Sequence, residues 1–312
     1  MQLPFVSAQQ VHAALDYTRL ADALREAFRA GCTVPLRHVH EVSGAGDRLL
    51  LMPAWRAGTD LGVKLVTVFP RNRERGAATV SALYVLLDGA TGHPRALIDG
   101  EALTLRRTAA ASALASTYLA RRDSATLLVI GTGALAPHMA RAHCALRPIT
   151  RLLLWGRNQE RAQALAAQLR DEGLPAQALA ELPSGLAQAD IVSCATTATE
   201  PVICGRLVRS GTHVDLVGGF TPQMREADDD LLARAEIFVD TYAGALSEAG
   251  DLVQPLASGV LRREGVHAEL VQLVTGAHPG RRSADEITLF KSVGTALEDL
   301  CAARMVFERG LA

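Results

Sequence analysis

The glycine pattern at residues 131–136 constrains the fold of this chain more than any other stretch. An apolar run, LLVI at 127–130, has the length of a strand buried on both faces and leads directly into it. Gly131, Gly133 and Ala136 then follow the spacing G-x-G-x-x-A and open an alanine-rich helical stretch. A strand, a glycine turn and a helix N-terminus in this order are typical of dinucleotide-binding units, because such a turn lets backbone N–H groups approach a pyrophosphate. Taken alone, the same glycines also fit a purely structural turn.

The end of the next predicted strand, at 151–158, bears on which dinucleotide binds. NAD-binding units carry an acidic residue there, about 20 residues beyond the glycines, which hydrogen-bonds the adenosine ribose. Here the strand ends in Gly156, Arg157 and Asn158, and Arg161 follows one helical turn later. A guanidinium can pair with a ribose 2′-phosphate, whereas a carboxylate would repel it. The sequence therefore predicts NADPH as the cofactor, with NADH possible.

Two further apolar runs, at 189–195 and 213–217, predict more buried strands of the same sheet. They end at Thr196-Thr197 and at Gly218-Gly219, and in a doubly wound sheet ligands bind beyond such carboxyl ends. We interpret the acidic run at 228–230 as the capped and charged first turn of a helix, in preference to catalytic acids.

Composition restricts the class of protein. The 312 residues are enough for two domains, and a net charge of −1 with both signs interspersed gives no electrostatic case for nucleic acid or an anionic membrane. No stretch reads as a signal peptide or as a membrane span. The five cysteines are scattered, without C-x-x-C spacing, which indicates reduced thiols. We expect a cytoplasmic α/β protein.

The first third of the chain predicts a second kind of domain. Ser7 and Asp16 are candidate N-caps of two helices, the second ending at Gly31. After Pro35, four β-rich runs follow one another without intervening helices, which favours an antiparallel sheet. They are LRHVHEV, RLLLMPAW, LGVKLVTVF and VSALYVLLD. A helix rich in small side chains is predicted at 101–120.

Side chains in this part carry possible chemistry. Lys64 interrupts an apolar strand, and it is either an outward residue of an edge strand or an ammonium that faces a substrate anion. His38 and His40 lack a third ligand, so no metal site is predicted. Arg106 and Arg107 lie in the following helix. They are either a solvated pair, or one guanidinium group binds a carboxylate.

Several segments together resemble the ornithine cyclodeaminase/μ-crystallin family and cover nearly the whole chain. They are Arg37, GVKLVTVFP, TGHPRALIDG, LTLRRTAAASALA, IGTGALA, VGGFTPQMREADDDLL and ITLFKSVGTALEDL. The resemblance implies a Rossmann-type doubly wound parallel sheet plus an α+β N-terminal domain that the C-terminal helix completes. The expected domains are 1–118 with 283–312, for substrate binding and dimerisation, and 119–282, for dinucleotide binding. A homodimer formed mainly by the N-terminal sheets is also implied.

The resemblance assigns substrate contacts as well. It implies that Arg37, Lys64 and Arg107 hold the substrate carboxylate, with Lys64 and Arg107 as the catalytic candidates and Thr79 lining the pocket. Three converging cations would repel one another unless an anion lay among them, which agrees with an α-carboxylate substrate.

A capping-box spacing of Ser283 and Glu286 predicts that the final helix starts there and carries ITLFKSVG, so that Lys291 lies in it. By resemblance Lys291 lies near the nicotinamide, although the same residue could be a surface lysine. The cofactor-binding residues that we expect are Thr108, Gly131, Thr132, Gly133, Ala134, Arg157, Asn158, Arg161, Thr196, Thr197, Gly218 and Lys291.

The residue after Gly218-Gly219 separates the reactions within the family. Cyclodeaminases and related alanine dehydrogenases have an aspartate there as the base that deprotonates an α-ammonium, whereas this chain has Phe220. The segment also resembles the GSFTP-MRE pattern of the branch that contains Δ1-pyrroline-2-carboxylate reductases. We therefore predict an NAD(P)H-dependent reductase of cyclic ketimine carboxylates, with Phe220 in the substrate site. Δ1-pyrroline-2-carboxylate would give L-proline, and Δ1-piperideine-2-carboxylate would give L-pipecolate.

Two alternatives stay open at this point. One is an ornithine cyclodeaminase that uses another base and converts L-ornithine to L-proline and ammonia. The other is a non-catalytic protein of μ-crystallin type that binds NADPH and a small ligand. In each case the expected partner is a small amino or imino acid, and no nucleic acid or membrane is involved.

Overall fold

The computed structural model describes residues 3–44 and 46–310. It contains two sheets: one has mostly antiparallel pairings, and the other is fully parallel. The strands are β1 (Phe5–Val6), β2 (His38–Ser43), β3 (Asp47–Arg56), β4 (Asp60–Val68), β5 (Val80–Asp88), β6 (Pro94–Asp99), β7 (Thr126–Ile130), β8 (Arg151–Trp155), β9 (Ala176–Ala178), β10 (Ile191–Cys194), β11 (His213–Leu216), β12 (Ala235–Val239), β13 (Val266–Glu269) and β14 (Ile287–Lys291). The helices are α1 (Ala8–Ala14), α2 (Tyr17–Ala30), α3 (Gly100–Leu119), α4 (Ala136–Leu146), α5 (Gln159–Asp171), α6 (Leu182–Leu186), α7 (Asp229–Arg234), α8 (Tyr242–Glu248), α9 (Gly250–Ser258), α10 (Leu270–Thr275) and α11 (Ala296–Gly310).

The four predicted β-rich runs are the antiparallel strands β2 to β5, in the sheet order β1-β6-β5-β4-β3-β2. The sequence patterns did not predict β1 or β6. Strand β1 has only two residues and therefore shows no periodicity, and β6 begins at Pro94, a residue type that is more typical of turns. The two pair in parallel at the far edge of the sheet.

Helices cover one face of this sheet. Ser7 and Asp16 cap α1 and α2 as predicted, and α2 ends at Gly31, whose φ of 68° suits glycine. Helix α11 packs on β3, β4, β5 and α2. Lys64 lies on β4 within the sheet and is buried, so the edge-strand alternative for it is wrong.

The second sheet has the order β13-β12-β14-β11-β10-β7-β8-β9, and every pairing in it is parallel. The predicted runs at 127–130, 151–158, 189–195 and 213–217 are β7, β8, β10 and β11. Asp228 caps α7, as predicted for the acidic run. The doubly wound Rossmann-type architecture and the separate α+β N-terminal part are confirmed.

The prediction of a final helix starting at Ser283 is wrong. Ser283 Oγ does accept the N–H of Glu286 at 3.2 Å, but the turn leads into β14, which lies between β11 and β12. Every residue of β14 is buried. In a short apolar run that is buried on both faces, the pattern of residues does not distinguish a strand from a helix. The final helix, α11, begins only at Ala296.

The chain divides into two units. One comprises the residues up to Thr108 together with those from Thr295 onward, and the other is Ala109–Gly294. We had expected divisions at 118 and 283. Strand β14 belongs to the parallel sheet, which moves the second division toward the C-terminus. Within the described ranges, no helix combines the length and the apolar character that crossing a bilayer requires.

Candidate active site

A buried cluster of four charged side chains lies in the first unit. It consists of Lys64, Arg107, Glu298 and Asp299, and we call it the cation–carboxylate cluster. Lys64 Nζ lies 2.9 Å from Asp299 Oδ1, and Arg107 Nε lies 3.0 Å from the same oxygen. Arg107 Nη1 donates to Glu298 Oε2 at 2.7 Å. Asp299 therefore bridges two of the three cations that the family resemblance assigns to the substrate carboxylate.

The local fold explains this arrangement. Lys64 and its β-sheet neighbour Tyr84 are both buried, on strands that α11 covers. Helix α11 presents adjacent acids, Glu298 and Asp299, in its first turn, where the helix dipole favours negative charge. Arg107 lies on α3, and Thr104 of the same helix accepts a hydrogen bond from Lys64 Nζ at 3.2 Å.

The pairing of charges differs from the expectation that converging cations require a substrate anion between them. Instead, Glu298 and Asp299 neutralise Lys64 and Arg107 within the chain itself. Burying an unpaired ion costs several kcal/mol of desolvation free energy, and the ion pairs must offset this cost.

Burial sets the protonation of Lys64. Desolvation lowers the pKa of its ammonium to about 8, although Asp299 acts to raise it, and the nearby charges of Arg107 and Arg37 lower it further. Arg37 is half-buried just before β2 and is close enough to act on this pKa. The structure therefore places Lys64 and Arg107 in one cluster, and Arg37 is near enough for its charge to lower the pKa of Lys64.

Two other predicted residues have different surroundings. Thr79 is half-buried directly before β5, and its carbonyl accepts the N–H of Phe69 at 2.8 Å. In the part of the chain that is described, Thr79 makes no hydrogen bond to Lys64 or Arg107. Arg106 donates from Nη2 to the His12 carbonyl at 2.9 Å, so Arg106 and Arg107 are not a solvated pair.

Sequence analysis missed Glu298 and Asp299. The available signal was a pair of acids inside the apolar stretch LEDLCAARMVF. Charged residues in such a stretch need a partner. The partners themselves lie far away along the chain, and no local pattern points to them.

The glycine turn of the second unit fits a dinucleotide. Gly131 has a φ of 122°, and a Cβ there would lie 2.5 Å from the Ala195 carbonyl oxygen, so only glycine fits. A Cβ on Gly133, by contrast, would meet no atom within 4 Å. That open space suits a ligand that approaches the backbone. No side chain caps the start of α4 at Leu135, and among the described residues none accepts the backbone N–H of Gly133, Ala134 or Leu135, which leaves these groups for a phosphate.

The end of β8 carries exposed cations. Arg157 and Arg161 are both exposed, and Asn158 caps α5 by accepting the Arg161 N–H at 2.9 Å. Asn158 therefore has a structural role that suffices to explain it, whereas Arg157 lies beside the strand end where a ribose is expected.

The other predicted cofactor residues are distributed over both units. Thr132 and Ala134 belong to the glycine turn, and Thr197 is exposed beyond β10. Thr108 is buried on α3, at the end of the first unit's N-terminal segment.

Lys291 is fully buried, so the surface-lysine alternative is wrong. Its Nζ lies 2.9 Å from Asp251 Oδ2 and 3.7 Å from Glu226 Oε2. Sequence analysis missed both acids. Glu226 was hidden in the run READDDL, and Asp251 stands alone in the stretch GDLVQPL.

Phe220 follows Gly219 in the loop after β11, and 38% of its surface is exposed. The family's aspartate position is thus occupied by an accessible ring and not by a carboxylate.

Replacing Asp299 tests the cation–carboxylate cluster. Asp299→Asn should lower the free energy of unfolding by about 3–5 kcal/mol, because Lys64 and Arg107 would lose their shared buried partner. Urea denaturation of the purified chain measures this. Asp22→Asn is the matched control, since Asp22 pairs with Arg25 on the exposed face of α2 and should change stability little. Equal losses of unfolding free energy in the two variants would contradict a stabilising role for the cluster.

Comparison with known proteins agrees with this geometry. The family model described as the ornithine cyclodeaminase/mu-crystallin family matches residues 3–312. A Δ1-pyrroline-2-carboxylate reductase of Paracoccus denitrificans is 41% identical, over 90% of this chain and 90% of its own length.

Two solved structures are similar over almost the whole chain. The Δ1-pyrroline-2-carboxylate reductase of Thermococcus litoralis, in complex with NADH and L-proline, has a TM-score of 0.94 and 34% identity, covering 99% of this chain and 98% of that one. An archaeal alanine dehydrogenase dimer with bound NAD has a TM-score of 0.92 and 29% identity, covering 100% and 97%. The chain belongs to the ornithine cyclodeaminase/mu-crystallin family.

Proposed function

We propose that this protein is an NAD(P)H-dependent reductase of cyclic ketimine carboxylates, converting Δ1-pyrroline-2-carboxylate to L-proline or Δ1-piperideine-2-carboxylate to L-pipecolate. The observation that carries the choice of reaction is Phe220, which stands where cyclodeaminases need a base. Reduction of a preformed C=N bond does not require removal of a proton from an α-ammonium. The reductases from Paracoccus denitrificans and Thermococcus litoralis support this choice.

The substrate carboxylate binds at the cation–carboxylate cluster in this proposal. Arg107 uses Nε and Nη1 for Asp299 and Glu298, and among the described residues none is found to accept a hydrogen bond from its Nη2. That group can donate a charge-assisted hydrogen bond to one carboxylate oxygen. Arg37 adds a third cation, and Thr79 lines the pocket.

Lys64 supplies the proton in this proposal. Its pKa of about 8 keeps the ammonium protonated at neutral pH, yet makes the proton easier to transfer than from an exposed lysine. The proton goes to the nitrogen of the C=N bond, which becomes the amine of the product. Arg107 retains its charge throughout and keeps the substrate oriented.

A nicotinamide nucleotide fits the second unit. The turn Gly131–Gly133 and the uncapped start of α4 would hold its pyrophosphate, and Arg157 with Arg161 would hold a 2′-phosphate. When bound in reduced form, it supplies the hydride for the C=N carbon. Thr196, Thr197, Gly218 and Lys291 lie at or beyond the strand ends where such a ligand binds.

The unit with the antiparallel sheet also provides a dimerisation surface in this proposal. Leu36, Val39 and Val42 are exposed on or next to β2, the edge strand of that sheet. Exposed apolar edges of this kind pair with another chain. Light scattering of the purified protein tests the homodimer, and a monomer at micromolar concentration would contradict it.

We also propose a cytoplasmic location. All five cysteines are free thiols in the structure, which is the form that a reducing compartment maintains.

A substrate panel tests the reaction. With NADPH, the wild-type protein should reduce five- or six-membered cyclic imine carboxylates and should release no ammonia from L-ornithine. Loss of NADPH absorbance and an ammonia assay measure the two activities. Rapid ammonia release would favour the cyclodeaminase, and NADPH binding without any turnover would favour a μ-crystallin-type binding protein.

Phe220→Ala should only moderately lower the rate of reduction, since the ring carries no proton and is partly exposed.

The pH profile tests Lys64. The active form is the ammonium, so kcat/KM should be constant below the pKa of about 8 and should then fall about tenfold per pH unit as the pH rises above it. Lys64→Arg is the control: arginine keeps both its charge and its proton at any pH in this range, so kcat/KM should be much lower at every pH. The decline near pH 8 should disappear in that variant. An unchanged profile would assign the titration to another group.

Cofactor choice tests Arg157. Arg157→Asp should raise the NADPH dissociation constant by about tenfold or more and should affect NADH much less. Arg151→Asp is the matched control, since Arg151 is exposed at the opposite end of the same strand. Fluorescence titration with both nucleotides measures the effect. A wild type that already prefers NADH would contradict the assignment.

A further inference from the structure

One fully buried carboxylate, that of Glu226, joins two loops of the parallel sheet. Its Oε1 accepts the backbone N–H of Thr196 at 2.8 Å and the hydroxyl of the same residue at 2.9 Å. Its Oε2 accepts the N–H groups of Gly218 at 2.8 Å and Gly219 at 3.2 Å. The loop after β10 and the loop after β11 are therefore held by opposite oxygens of a single side chain.

Two further buried groups hold this carboxylate in place. Asp251 Oδ1 accepts the N–H of Glu226 at 2.7 Å and that of Ala227 at 3.2 Å. Asp251 Oδ2 lies 2.9 Å from Lys291 Nζ, at the end of β14. Because β14 pairs with β11, the carboxyl ends of three neighbouring strands meet in one network.

The network leaves no room for side chains on the second loop. A Cβ on Gly218 would lie 2.5 Å from Glu226 Oε1 and 1.9 Å from the Thr196 carbonyl oxygen. A Cβ on Gly219 would lie 2.9 Å from Asp251 Oδ2. The two glycines therefore pack as bare backbone against the carboxylates, which fixes the position of the loop that leads to Phe220.

We propose that Glu226 is the positioning residue of the cofactor site: it fixes Thr196 and Gly218, without touching the nucleotide, in the arrangement that binds it. This inference rests on the proposed nicotinamide nucleotide. Only a carboxylate suits the position, because each oxygen accepts two donors. Glutamine would place an NH₂ group against the donors of one loop, and that loop would move.

The opposite edge of the same sheet offers a matched control. Asp190 is also a buried carboxylate, and it accepts the N–H groups of Ala125 and Thr126, each at 2.9 Å. It also pairs with Arg121 and Arg209. It lies at the amino ends of β7 and β10, at the opposite ends of the strands from the loops that Glu226 holds. Asp190→Asn therefore removes a similar charge from the same unit.

The experiment compares Glu226→Gln with Asp190→Asn by NADPH fluorescence titration and thermal unfolding. Both variants should have a lower Tm. Glu226→Gln should raise the NADPH dissociation constant at least tenfold, whereas Asp190→Asn should leave it within twofold of the wild type. In turnover, Glu226→Gln should raise the KM for NADPH far more than it lowers kcat.

NADPH affinity within twofold of the wild type in Glu226→Gln would overturn the proposal, and so would equal losses in the two variants. If Glu226→Gln does not fold, Glu226→Asp serves instead, because the shorter carboxylate keeps the charge but reaches only one loop. It should give an intermediate affinity for NADPH, and wild-type affinity in this variant would overturn the proposal.

Wild-type protein that binds NADPH but reduces no cyclic imine would contradict the proposed reaction while leaving this test of Glu226 valid. Wild-type protein that binds neither NADPH nor NADH would defeat both.

Discussion

The bridge that Asp299 makes between Lys64 and Arg107 is the interaction on which the first unit depends. Both cations are buried, and a buried cation without a partner is strongly destabilising. The partner comes from α11, so the last helix of the chain must pack on the sheet that the first third of the chain forms. This requirement explains why residues from Thr295 onward belong to the same unit as those up to Thr108.

Carboxylates have a parallel role in the second unit, but with different donors. Glu226 accepts mainly backbone N–H groups, and Asp251 combines backbone donors with the ammonium of Lys291. These bonds fix loops and not side chains. A parallel sheet leaves irregular backbone at its carboxyl edge, and buried polar backbone groups must find partners there. The same edge is where ligands bind in sheets of this class.

The two clusters divide the chemistry of the proposed reaction. In the proposed reaction, the cation–carboxylate cluster contributes cations for a carboxylate and, through Lys64, a proton near neutral pH. The network around Glu226 is proposed to position the loops for a nucleotide, and the second of these loops leads to Phe220, an accessible ring. Fold alone does not decide the reaction within this family, so the proposal of reduction in place of deamination rests on the residue type at this loop position.

Local sequence patterns were sufficient to predict features that depend on neighbours within a few residues: the glycine turn at Gly131, the caps at Ser7 and Asp16, and the antiparallel runs. The pairing of Lys64 with Asp299, 235 positions apart, was decided only by the tertiary structure. The same holds for β14, since its apolar residues fit a helix or a strand until β11 and β12 flank it. Spacing patterns report local geometry, whereas the partner of a buried charge is chosen by how the whole chain packs.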